Sequence, residues 1–408
     1  MSGLAASRRT SAQRRRRIWL KVHLWLGLAL GAVLSVAGVT GSILVFHHEI
    51  DAWLNPALYV VEDRGGLAAH RPFPQLLAAA RAAMPEDAAL SFIHYPQHDD
   101  WSVIFTHARP DPVGGGRLVE QTFVAPYDGR VLGSRLKRRS ADWLPATAVT
   151  FVFELHYALL AGLTGEKILG WITIALLASM IAGVVLWWPA KGRWRRALTI
   201  KRGAGAARFN IDLHNVNGIY TLPLMAAVLI SGVYFVLPQQ FMAVARLFSP
   251  GLERRYEIKP PPQPDRPFIA PAAAMAIMAR DFPSGRPAWV YIPTEKRPTY
   301  MICQHQAETG SWFVRRRCVV LDGYDGRVMH VETPGAADFW PAFIAWQWPL
   351  HSGQAFGEVG RWLVFLVGLA CPLIFVTGFL HWRRKREARR LSSLRAAARS
   401  PGGTVALT

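Results

Sequence analysis

Cysteine is nearly absent: 408 residues contain only Cys303, Cys318 and Cys371. That excludes a disulfide-rich scaffold, and it excludes iron–sulfur or zinc sites built on four thiolates. Charged residues are also scarce, at 18% of the chain. Four stretches carry no Asp, Glu, Lys or Arg at all: Leu26–Phe46, Ile168–Trp188, Ile219–Leu237 and Trp362–Leu380. No HExxH, Walker or Rossmann pattern occurs, so any nicotinamide or flavin donor is external. No Ser/His/Asp arrangement marks a hydrolase.

What is present points to a membrane. Each uncharged stretch is long enough for a hydrocarbon core about 30 Å thick. Aromatic or basic residues flank the stretches, and Trp, with 16 copies, favours the membrane–water interface. The reading is four transmembrane helices, set against the alternative of buried helices in a soluble protein. The first stretch follows Arg14 to Arg17 and stays apolar beyond Thr40-Gly41-Ser42, so it reads as a retained anchor rather than a cleaved signal. Lys and Arg set the orientation. Residues 1–22 carry seven, residues 189–213 seven, and the tail after His381 eight. These segments face the cytoplasm, with both termini, and residues 49–155 and 239–345 lie outside. In a bacterium that is the periplasmic side of the inner membrane. The net charge of +20 is then mostly a topology signal. No nucleic-acid partner is expected, because aromatic interleaving and a recognition motif are both missing.

The chain repeats itself. Val22-His23-Leu24-Trp25-Leu26-Gly27 resembles Leu213-His214-Asn215-Val216-Asn217-Gly218. Leu155-His156 matches Leu350-His351, Gly162 matches Gly357, Gly165 matches Gly360, and Gly183 matches Gly378. Tyr127-Asp128-Gly129-Arg130-Val131 matches Tyr324-Asp325-Gly326-Arg327-Val328. All offsets lie between 191 and 197. The fold expected is a four-helix membrane bundle with two periplasmic α+β domains, arranged as an internal parallel duplication. Its organisation is a basic tail (1–17), a first span (18–48), an outer domain (49–150), an interfacial helix with the second span (151–190), a cytoplasmic loop (191–210), a third span (211–238), a second outer domain (239–345), an interfacial helix with the fourth span (346–382), and a tail (383–408).

Each outer domain reads as a helix followed by strands. The first has a helix over Phe73–Ala83 and strands at Leu90–Tyr95, Trp101–Thr106 and Leu118–Val124. The second has a helix over Ala270–Ala279 and strands at Ala288–Ile292, Thr299–Gln304 and Trp312–Leu321. Asp128-Gly129 and Asp325-Gly326 are turn signals before a short last strand. Cys303 and Cys318 lie symmetrically about Gly310-Ser311, so a hairpin there sets them opposite each other. A disulfide and two free thiols are both compatible with that placement.

Thirteen histidines are present, several at the ends of spans. Ionisable residues at membrane depth are costly and tend to be functional. His23 and His214 are repeat mates at one end, and His156 and His351 are repeat mates at the other. Two-fold-related imidazoles facing a bundle axis suit a planar, six-coordinate iron, as in a b-type haem. Two such haems are expected, with iron held by His23, His214, His156 and His351. His23 and His47 are 24 residues apart, about 36 Å along a helix, so sites at both ends bridge a bilayer. His47, His48 and His381 lack repeat mates and are weaker candidates. If the helices bearing His156 and His351 lie flat, His47 or His48 ligates instead. Arg361, Lys167 and Arg208 are placed either to pair with haem propionates or to anchor the spans as ordinary flanking charges. Zinc is the competing metal. No Cys-x-x-Cys-His occurs, so any haem is bound without covalent attachment.

These motifs resemble the PepSY-associated transmembrane family, and within it bacterial inner-membrane ferrisiderophore reductases and iron-regulated membrane proteins. The likeness rests on His23-Leu24-Trp25-Leu26-Gly27-Leu28, on Leu155-His156 with Gly162, Gly165 and Lys167, and on Asp212-Leu213-His214 with Gly218. It also rests on Pro349-Leu350-His351-Ser352-Gly353 with Gly357, Gly360 and Arg361, and on the two Tyr-Asp-Gly-Arg-Val segments. It covers roughly residues 18–386. The resemblance implies a haem protein that takes electrons from a cytoplasmic or membrane donor and reduces a ferric siderophore in the periplasm. Glu166 stands where the second copy has Arg361, so propionate pairing is expected to differ between halves. The alternatives are a non-enzymatic PepSY protein that binds a periplasmic partner and a haem electron carrier for another reductase.

Overall fold

A computed structural model describes residues 2–306, 315–332 and 338–399. In chain order the first half comprises α1 (Ser2–Val45), α2 (His47–Leu54), α3 (Pro56–Tyr59), α4 (Phe73–Ala83), β1 (Ala89–His94), β2 (Val103–Pro110), β3 (Arg117–Val124), β4 (Val131–Arg139), α5 (Ala148–Ala158) and α6 (Gly162–Trp187). After α7 (Trp194–Ala197), the second half comprises α8 (Gly205–Val236), α9 (Pro238–Arg246), α10 (Pro271–Asp281), β5 (Arg286–Tyr291), β6 (Thr299–Gln306), β7 (Arg315–Asp322), β8 (Val328–Glu332), α11 (Phe339–Ser352) and α12 (Gly357–Arg399). The expected Gly310-Ser311 turn and the Trp312 start of a strand lie outside the described residues, as do residues 400–408.

Among the described residues, four helices are long and apolar enough to cross a membrane: Gln13–Val45, Gly162–Trp187, Gly205–Val236 and Gln354–Arg395. Their outward side chains are apolar, including Ile181, Val185, Leu366 and Leu369, which suits a lipid solvent. Two compact units divide the chain. The first holds residues up to Ser42, Lys167–Val233 and the segment from Val364 onward. Small residues bring its helices together: Gly38 of α1 faces Gly368 of α12, and Ser42 donates to the Phe365 carbonyl at 2.7 Å. Close backbone approach of this kind is what holds helices together in lipid. Asn210 and Asn217 of α8 donate to the carbonyls of Thr377 and Ala370 on α12, at 2.8 and 3.2 Å.

The second unit holds Ile43–Glu166 and Tyr234–Leu363. Its described strands form one eight-stranded antiparallel sheet in the order β4-β3-β2-β1-β5-β6-β7-β8. The sequence suggests two separate layers, whereas β1 pairs directly with β5, Ile93 opposite Val290. Alternation along the strands gives the sheet two distinct faces. On one face Ile93, Val290, Ile302, Val319 and Leu321 pack against Leu76, Leu77 and Ala80 of α4 and Ala274 and Met278 of α10. The other face carries Met301, Cys303, Cys318 and Val320 with Trp289 and Tyr291. Cys303 and Cys318 are direct cross-strand partners and are bonded as a disulfide. Gly129 and Gly326 occupy the left-handed region at φ +77° and +79°, and donate to Ala125 and Asp322 at 3.0 Å each. Both turn signals therefore make the same turn. The last strand of the first set runs nine residues, longer than expected.

Candidate functional site

His23 sits on α1 and His214 on α8, and their ring centres are 6.1 Å apart at an interplanar angle of 69°. Each ring is held by the helix beside it. His23 Nδ1 donates to the Ser179 carbonyl on α6 at 2.9 Å. His214 Nδ1 donates to the Ile374 carbonyl on α12 at 3.1 Å, with Thr377 Oγ1 at 3.0 Å. With Nδ1 carrying the proton, Nε2 of each ring keeps a lone pair for a metal. A Cβ placed on Gly183 would come within 3.0 Å of His23 Cε1, and one on Gly378 within 3.2 Å of His214 Cε1. Ser179 and Ile374, like Gly183 and Gly378, are 195 residues apart, so the two halves hold their imidazoles in the same way.

Both rings line a cavity of about 830 Å³ within the first unit, in the size range of small-molecule and cofactor sites. Leu28, Leu222, Phe375 and Phe379 line it, together with the cations Arg16, Arg17 and Lys385, and His381. Two imidazoles that ligate one ion from opposite sides, each through a nitrogen about 2.0 Å from the metal, have ring centres about 6 Å apart. The observed spacing fits that arrangement. Among the described residues no group of three or more His, Cys, Asp or Glu converges as a metal cage. The pair can therefore offer one nitrogen from each ring to a single ion. An apolar cavity with cations at its rim fits a macrocycle with acidic arms. Arg16, Arg17 and Lys385 read from sequence only as topology charges, because span-flanking cations look alike whatever they face.

The second pair repeats the spacing. His156 lies near the end of α5 and His351 near the end of α11, with ring centres 6.1 Å apart at 62°. Phe235 flanks His351 edge-on at 5.4 Å. Both helices are short and end in left-handed residues, Leu159 and Gly353, before the longer helices that follow. A Cβ on Gly165 would strike the Ala158 carbonyl, and one on Gly360 the Gly353 carbonyl. These repeat glycines let each long helix begin tightly against the end of its histidine-bearing neighbour.

The remaining candidates are placed differently. His47 and His48 are tilted by 38° with ring centres 3.8 Å apart, and His48 stacks on His94 at 4.4 Å and 15°. The stacked His48 and His94 rings cannot aim nitrogens at one ion between them. Burial pushes His48 well below its ordinary pKa and His94 down to about 3, so both are neutral at neutral pH. His94, an isolated strand histidine, gave no sequence signal. Arg361 pairs with Glu49 and Glu358 and donates to the Val45 carbonyl at 3.0 Å. Its charge is thus met by carboxylates of the chain. Arg208 pairs with Asp212 at 3.0 Å.

No curated protein matches the chain. A family model described as the PepSY-associated TM region matches residues 20–385. On that match, which spans most of the sequence and both histidine pairs, the chain belongs to the PepSY-associated transmembrane family.

Proposed function

We propose that this protein is a haem-containing oxidoreductase of the bacterial inner membrane, with both termini cytoplasmic, that passes electrons outward and reduces siderophore-bound iron(III) in the periplasm. One observation carries the reading: two histidine pairs from corresponding positions each have a 6.1 Å ring spacing. The orientation rests on the clusters of Lys and Arg at the termini and in residues 189–213. The duplication is supported by the matched contacts of His23 and His214 and by the β1–β5 pairing about Ile93 and Val290.

A bis-imidazole haem supplies reversible one-electron transfer at a potential set by its axial ligands and surroundings. The chain's own residues prepare for it. Ser179 and Ile374 fix the tautomer of the first pair through their carbonyls. Gly183 and Gly378 leave room for the rings, while Arg16, Arg17 and Lys385 supply charge at the cavity rim. Siderophore oxygens are hard donors that favour Fe(III). One electron from a cytoplasmic or membrane donor yields Fe(II), which such donors hold weakly, and the iron is released. No general base or nucleophile is needed.

The test is spectroscopic and kinetic. Detergent-purified protein is expected to show a Soret band and sharp α/β bands on reduction with dithionite. Anaerobic addition of a ferric siderophore should reoxidise it, with Fe(II) trapped by ferrozine. A folded, colourless protein would eliminate the redox reading. Haem without siderophore-dependent reoxidation would leave an electron carrier for another reductase.

A further inference from the structure

The face of the sheet opposite α4 and α10 holds a buried cation that the proposed function does not use. Arg316 on β7 is only 4% exposed. Its guanidinium packs against two indoles, 5.0 Å from the centre of Trp289 and 5.7 Å from that of Trp348. Among the described residues no carboxylate pairs with it: the neighbouring Glu332 is bound by Arg255. Arg316 Nη1 is buried with no hydrogen-bond partner, and so is Trp348 Nε1. His305, the cross-strand partner of Arg316, leaves Nδ1 buried and unpartnered as well. Burial and the nearby Arg255 guanidinium push Arg316 down to about 9, so it is still charged at neutral pH.

Glu332 offsets part of this charge at a distance, but a buried cation with no carboxylate in direct contact is costly, and a buried donor without an acceptor adds to the cost. Two unpaired N–H donors, one of them cationic and both against an aromatic wall, make a receptor for an anion with two oxygens. The direction of the site is also given. Trp348 stands three residues before His351 on α11, so the two share a helix face. Phe235 touches both, at 5.7 Å from Trp348 and 5.4 Å from His351.

We propose that Arg316 and Trp348 form a carboxylate-binding site beside the His156–His351 pair. Its ligand chemistry is a carboxylate, supplied either by an acidic arm of a macrocycle held by that pair or by a free anionic ferric chelate. The first source rests on the haem reading, and the second does not. Arg316 supplies the charge, Trp348 the second hydrogen bond, and Trp289 the flat wall that fixes the guanidinium plane.

The experiment uses full-length protein carrying His214→Ala, which leaves His156 and His351 as the intact pair. It is titrated with iron protoporphyrin IX and with its dimethyl ester, and ferric citrate is titrated separately by equilibrium dialysis. The site predicts that the ester binds about tenfold more weakly than the acid, as expected for loss of one charge-assisted hydrogen bond. Arg316→Gln should weaken the acid to the level of the ester, and Trp348→Phe should weaken it about threefold. If the carboxylate comes from solution, acid and ester bind alike, and ferric citrate binds in a manner that Arg316→Gln abolishes. Affinities for acid, ester and citrate that are all indifferent to Arg316→Gln would overturn the site. Failure of the haem reading is separate: neither porphyrin then binds, in this protein or in the wild type, and the citrate titration still tests Arg316. If Arg316→Gln fails to fold, Arg316→Lys and Trp348→Phe carry the same comparison.

Discussion

Gly183→Ala is a one-methyl perturbation aimed at the centre of the account. The added Cβ would lie 3.0 Å from Cε1 of His23, about 0.5 Å inside an ordinary carbon–carbon contact. The imidazole must yield by several tenths of an ångström, while metal–ligand distances tolerate only about ±0.2 Å. A retreat of that size disturbs its 2.9 Å bond to the Ser179 carbonyl. Disturbing groups that orient a ligand costs about 10- to 100-fold in affinity, and the same loss is expected here for the His23–His214 site. Gly378→Ala should do likewise through His214, whose Cε1 it would approach to 3.2 Å. Because both act on one site, the double variant should lose little more than either alone. The assay is haem per chain by pyridine haemochrome, expected to fall by about half in each variant as one pair empties and the other stays filled. Gly251→Ala, where a Cβ meets nothing within 4 Å, serves as control and should keep full haem. Full haem content with an unchanged spectrum in both Gly183→Ala and Gly378→Ala would refute the reasoning.

Replacing Cys303 or Cys318 with Ser opens a cross-link spanning 15 residues and should cost about 3 kcal/mol, read as a lower denaturation midpoint matched by reductant on the wild type. Asp51→Asn should cost about 3–5 kcal/mol, because Arg135, which donates to Asp51 at 2.8 Å beside Tyr59, would be left buried without its carboxylate; denaturant unfolding checks it. His94 is depressed from 6.5 to about 3, so below pH 6.5 the unfolded chain takes a proton that the folded chain refuses. Stability should therefore be lost as pH falls from 6.5 toward 3, by up to about 1.4 kcal/mol per pH unit from this group, and His94→Gln should reduce that slope while the part due to His48 stays.

The parts of the fold governed by local chemistry were legible in the sequence. The four spans follow from uncharged length, and the helical composition of Phe73–Ala83 coincides with α4. Spacing alone is compatible with a Cys303–Cys318 bond or with two free thiols, and direct cross-strand register decides for the bond. The β2 strand begins at Val103 rather than Trp101, because Trp101 is taken up in an isolated bridge with Val60. The join of β1 to β5 was not legible: strands nearly two hundred residues apart pair by tertiary fit, which no local pattern records. For the site, repeat symmetry was informative and isolated residues were not. His23, His214, His156 and His351 stood out because each has a mate. His94, His305 and Arg316 have none, and only packing reveals what surrounds them.

The most direct measurement of the central claim is the low-temperature electron paramagnetic resonance spectrum of the oxidised, purified protein. The account predicts low-spin ferric signals from iron with two axial imidazoles, one component vanishing in His214→Ala and the other in His351→Ala. A high-spin signal, or low-spin signals indifferent to both substitutions, would contradict it.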